Sequence, residues 1–72
     1  MQTLGDELPE MLRKVRDETL PVYEEIAKTS PLTNLTIQVI KHEMDTAARA
    51  MAEGDVVQMM RSYEALKETY EA

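Results

Sequence analysis

The stretch Ala48–Leu66, ARAMAEGDVVQMMRSYEAL, decides how this chain folds. Apolar residues recur at helical spacing on both sides of Gly54-Asp55, and the pair itself reads as a helix end followed by a helix start. Glycine suits the left-handed position just past a helix C-terminus. Aspartate suits an N-cap, and Gln58 three residues later completes a sequence resembling a capping box. After it, Val56, Met59, Met60, Tyr63, Leu66 and Tyr70 share one helical face. A connection of about two residues forces the two helices antiparallel.

Upstream, TSPLTNLTIQVIKHEMDTAARAMAEG supplies the partner helix. Ser30 followed by Pro31 reads as a cap and a first helical position. Thr33, Ile37, Ile40, Met44, Ala47 and Met51 form a stripe that Leu32, Thr36, Ala48 and Ala52 widen. LTIQVI has strand propensity, but no second strand candidate exists to pair with it. The alanines at 47, 48, 50 and 52 allow a neighbouring helix to approach closely. Further upstream, Asp6 is the expected N-cap of a first helix, with Glu7 and Glu10 favoured by the helix dipole and Pro9 tolerated in a first turn. Its stripe is Leu8, Met11, Leu12, Val15, Thr19, Val22, Tyr23 and Ile26. Pro21 interrupts it by removing the bond to the Asp17 carbonyl. Because the stripe continues in phase, the reading is one kinked helix, or two helices nearly end to end with a break near Glu18–Leu20. The sequence therefore predicts a compact three-helix bundle of the all-α class. It is a single small domain over residues 1–72, with helices at about 6–28, 31–53 and 55–71.

Seventy-two residues make a marginal core, and chains of this size commonly draw on disulfides, metals or a partner. There is no cysteine and a single histidine, His42, which excludes disulfides, thiolate sites and His-rich metal sites. The apolar share of 43% against 31% charged suits a folded chain rather than a disordered one. With three tyrosines and no Phe or Trp, the core must come from Leu, Ile, Val, Met and Ala. No run is long enough to span a membrane. The opening MQTLGDELPEML lacks the basic and apolar regions of a secretory signal, so a cytoplasmic location is expected.

The net charge is −6. Residues 6–28 carry seven acids and four bases, 29–52 two of each, and 53–72 five acids and two bases, so the excess sits on the first and third helices. The one basic cluster, Arg13, Lys14 and Arg16, is flanked by acids and does not form the stripe that phosphate binding needs. Neither nucleic-acid nor membrane binding is expected.

No catalytic constellation emerges. HEMDT at 42–46 begins like the zinc-binding H-E-x-x-H, but residue 46 is Thr and a catalytic zinc needs three protein ligands. A bundle-type di-metal site needs Glu-x-x-His, and Val39 stands where that Glu would be. Asp17-Glu18 and Glu24-Glu25 are adjacent acids expected to face water. Ser30 serves better as a cap than as a nucleophile, and with only Gly5 and Gly54 there is no phosphate loop. No cofactor, metal or catalytic residue is assigned. Over about twenty residues, Ala47 to Leu66 resembles the helix–Gly-Asp–helix join of a tetratricopeptide repeat. Such arrays need about three or more units, and this chain has one, so the resemblance implies shared capping and no membership of that family.

The methionines and their neighbours carry the functional reading. Met11, Met44, Met51, Met59 and Met60 lie on or beside the apolar faces, where methionine fills gaps in a core or adapts to partners. Val56, Val57, Met59 and Met60 make the third helix apolar over a wide arc, Leu35 and Val39 do the same for the second, and Leu20 lies off the stripe of the first. Three helices cannot bury all of these, and a surplus patch marks an interface. The expectation is a non-enzymatic protein-interaction module, a homodimeric adaptor or regulator, with Leu35, Val39, Val57, Met59, Met60 and Tyr63 as contact candidates. The alternative is an acidic inhibitor or mimic that binds a basic site on a larger protein, such as a nucleic-acid-binding one. In a third, enzymatic, reading His42 with Glu43 or Asp45 is the first place for chemistry.

Overall fold

The computed structural model describes residues 3–72. Met1, the first of the six methionines, lies outside the described residues. The elements are α1 (Leu4–Lys14), a π-helical turn (Val15–Thr19), α2 (Leu20–Ala27), α3 (Thr33–Glu53) and α4 (Val56–Glu71). No strand occurs among the described residues, so LTIQVI is helical. The fold is all-α and has three helices, the first built of joined pieces. α4 packs most extensively on α3 and also against α1 and the π turn, whereas α2 packs on α3 and not on α4. The result is elongated, 40 × 22 × 16 Å.

Gly54 ends α3 in the left-handed conformation, φ 71°. The Asp55 N–H donates to the Ala50 carbonyl at 2.9 Å and the Gly54 N–H to that of Met51 at 3.3 Å, the paired bonds of a Schellman cap. Asp55 then caps α4 by accepting the Gln58 N–H on Oδ1 at 3.1 Å. The reciprocal half of the capping box does not form. The Asp55 N–H is already engaged by Ala50, and the Gln58 amide instead donates to Ser62 Oγ at 3.0 Å.

The other two helix starts differ from expectation. The N–H groups of Asp6 and Glu7 both donate to the Thr3 carbonyl, at 2.9 and 2.8 Å, so α1 begins at Leu4 and Asp6 lies inside its first turn instead of capping it. Pro9 accordingly falls inside the helix rather than in the first turn. Ser30 makes no side-chain cap. Its carbonyl and those of Pro31 and Leu32 accept the N–H groups three residues on, at 3.0, 3.1 and 3.1 Å, and these tight turns lead into α3 at Thr33.

The largest departure is at Pro21. The first helix is two α-helical pieces end to end, joined by the π turn at Val15–Thr19, and its stripe does not continue in phase. The Leu20 N–H donates to the carbonyl of Val15, five residues back, while the backbone at Val15 and Leu20 stays helical. The wider turn takes the Asp17 carbonyl out of the place where the proline ring would clash with it. It also holds one extra residue, so the side chains beyond it shift by one position. Val15 and Leu20, five apart, are both buried, and Leu20 takes the core place that the in-phase stripe gave to Thr19. Val22 and Ile26 turn outward, 56% and 46% exposed, which corrects their assignment to the core face.

The buried cluster is Leu8, Met11, Val15, Leu20, Ile37, Ile40, Ala47 and Leu66, with no aromatic residue in it. Tyr23, Tyr63 and Tyr70 pack half-buried at its margin. Ala47 and Ala50 of α3 and Ser62 of α4 are buried as well. These small side chains let the two helices lie close, and the bond from Gln58 satisfies the buried Ser62 hydroxyl. Ala48 and Ala52 face outward.

Candidate interaction surfaces

Among the described residues nine apolar side chains are buried, yet eight large ones are exposed: Val22, Ile26, Leu32, Leu35, Val39, Val56, Val57 and Met60. The methionines divide unevenly. Met11 is buried, Met44, Met51 and Met59 are half-buried against the core, and Met60 is 57% exposed. Neighbours on a helix point about 100° apart, so Met59 turns in and Met60 out.

The six candidate contacts fall at two ends of the molecule. Near the Gly54-Asp55 join, Val57 and Met60 stand exposed on the outer side of α4. Leu4, Val56, Met60 and Tyr63 line a hollow of about 410 Å³ with Glu7 and Glu64. Met59 and Tyr63 are half-buried and pack against the core. Leu35 and Val39 lie toward the opposite end of α3. At 1.5 Å per residue they sit roughly 15–25 Å farther from the join than Val57 and Met60. The single arc expected from the sequence is therefore two patches.

At that second end, two hollows of about 500 and 400 Å³ share Tyr23, Thr69 and Ala72 and form one trough. Val22 and Ile26 of α2 and Tyr70 of α4 line the first part. Val39 and Ile40 of α3 and Ala65 of α4 line the second. The trough exists because α2 packs on α3 while leaving a gap to α4, and because the π turn rotates Val22 and Ile26 toward that gap. The sequence reading missed both residues. The available signal was the five-residue spacing from Val15 to Leu20 immediately before a proline.

One long-range side-chain hydrogen bond closes α4 onto the first helix. The Tyr70 hydroxyl donates to Glu18 Oε1 at 2.9 Å, and Lys14 Nζ lies 5.6 Å from the centre of the Tyr70 ring. The bond to Glu18 raises the pKa of the Tyr70 phenol. Arg13 pairs with Glu10 at 2.6 Å and approaches Asp17 at 3.8 Å, and Arg16 pairs with Asp17 at 2.9 Å. Hydrogen bonds from Arg13 and from Arg16 hold the carboxyls of Glu10 and Asp17, respectively, below their ordinary range. The basic cluster of the sequence is thus turned onto its own helix and onto Tyr70.

His42, Glu43 and Asp45 all lie on α3. His42 is exposed, and Asp45 pairs with Arg49 at 2.8 Å. Among the described residues no three His, Asp or Glu side chains converge in a way that would hold a metal ion, and no helix is long and apolar enough to cross a membrane. No family model matches the chain, and neither a curated protein nor a solved structure matches it.

Proposed function

We propose that this chain is a small non-enzymatic protein-interaction module that self-associates through the aliphatic face at the join end of α4. The observation that carries the reading is the near equality of buried and exposed aliphatic side chains. Among the described residues nine apolar side chains are covered, while eight large ones are left to water. A core this small is marginal alone, and a second copy is the partner always present at equal concentration. Val57 and Met60 lie on the outward side of a regular helix. Two such faces meet about a two-fold axis, with α3 and α4 of each copy acting as an antiparallel αα-hairpin in a larger helical bundle.

Substituting Met60 with Glu places a charge in the centre of that face. Met60 is 57% exposed, so the variant keeps its fold. In sedimentation velocity the native chain is expected to run as a dimer and Met60→Glu as a monomer with the same circular dichroism. An unchanged sedimentation coefficient for Met60→Glu removes this face from the interface.

A further inference from the structure

We infer that the trough between α2, α3 and α4 is a docking site for a basic amphipathic helix of another protein. The inference goes beyond self-association, because it concerns the opposite end of the molecule and a different occupant.

The trough is open and of mixed polarity, with apolar Val22 and Ile26 on one wall, Val39 on the other and Tyr23 belonging to both hollows, and Thr19, Thr36 and Thr69 among the polar side chains between them. Its charged lining is of one sign. Glu18 stands at the first hollow and Glu43 and Glu68 at the second, and no lysine or arginine lines either. Two of the nearby bases are otherwise engaged: Lys14 lies over the Tyr70 ring, and Lys28 pairs with Glu25 at 3.0 Å. Apolar anchor points among acidic lining side chains select an occupant with apolar anchors and flanking positive charge. They disfavour nucleic acid, anionic lipid and a second copy of this acidic chain. Length fits the same occupant. The wall from Glu18 to Ile26 runs about 12 Å at helical rise, room for roughly two turns and thus for anchors spaced three or four residues apart.

The backbone determines which side chains reach this surface. Val22 and Ile26 face the trough only because the π turn displaces the helical phase by one residue. With an in-phase helix, the same side chains would point at the core. π turns inside α-helices occur frequently at functional sites, and here the turn supplies one wall of the channel.

The test uses a fluorescein-labelled helical peptide with leucines at i, i+4 and i+7 and lysines at the flanking positions. Two controls accompany it, one with glutamates in place of the lysines and one with alanines in place of the leucines. Fluorescence anisotropy is read against the full chain. The lysine–leucine peptide is expected to saturate, to bind at least about tenfold tighter than the glutamate control, and to weaken as salt rises from about 0.05 to about 0.5 M. The alanine control is expected not to saturate. Val22→Glu and Val39→Glu each lose about tenfold in affinity even though they add negative charge, which separates docking in the trough from general attraction between opposite charges. Both positions are exposed, and circular dichroism verifies the fold of each variant. Glu43→Lys combined with Glu68→Lys reverses the preference between the lysine and glutamate peptides. Absence of saturable binding, equal binding of the alanine control, or binding unaffected by both Val22→Glu and Val39→Glu overturns the inference. Self-association is read separately from mass, so failure of one proposal is not mistaken for failure of the other.

Discussion

Gly54 carries the connection between α3 and α4 through its backbone alone. A Cβ placed there meets nothing within 4 Å, so the demand on this position is its φ of 71°. Gly54→Ala is therefore expected to lower stability by about 1 kcal/mol without disturbing any packing. Urea denaturation reads that loss as a lower midpoint at an unchanged slope. Tyr70 acts through its hydroxyl. The bond to Glu18 raises its pKa above the ordinary 10.0 in the folded chain. A raised folded pKa gives stabilisation that is complete below the unfolded value and is lost as pH rises through the folded one. The stability difference between the native chain and Tyr70→Phe should accordingly shrink as pH climbs above 10, as followed by urea midpoints. Glu10 and Asp17 have the opposite sign. Their depressed values give stabilisation present above their ordinary pKa values of 4.5 and 3.8 and lost as pH falls through the lower folded ones.

At the scale of elements, the π turn decides which side chains form the core. Leu20→Ala is expected to cost about 2–5 kcal/mol, the usual range for a buried leucine, whereas Val22→Ala should stay within about 0.5 kcal/mol as a surface change. A first helix that continued in phase would give the reverse order, so this pair of denaturation curves tests the register directly. The contrast also shows what periodicity can and cannot carry. Gly54 and Asp55 announced their join because each has a local conformational role. Ile37, Ile40, Ala47 and Leu66 were legible as core because their helices keep one period throughout. Pro21 was legible as a disturbance, but a stripe read at 3.6 residues per turn has no place for an added residue, and Val22 and Ile26 were placed on the wrong side. The exposure of Leu35, Val39 and Val57 could be read from their helical phase, whereas Val56 and Met60, placed on the face of Leu66, prove exposed. The separation of the two patches could not be read, because a helical wheel records angle and discards height.

At the scale of the whole molecule, two uncovered apolar regions sit at opposite ends of a 40 Å body whose net charge is −6. The two proposed partners respond to salt in opposite ways. Acidic copies repel one another, and Glu7 and Glu64 border the join-end hollow. Screening by salt therefore leaves a dimer intact or tightens it, while it weakens a basic helix in the trough. The two contacts can thus be told apart without knowing a natural partner. The measurement that bears most directly on self-association is the solution mass of the native chain, by light scattering after gel filtration, at low and high salt. A self-associating chain has a mass near twice 8.2 kDa that persists at high salt. A mass of 8.2 kDa at every concentration and salt would contradict self-association.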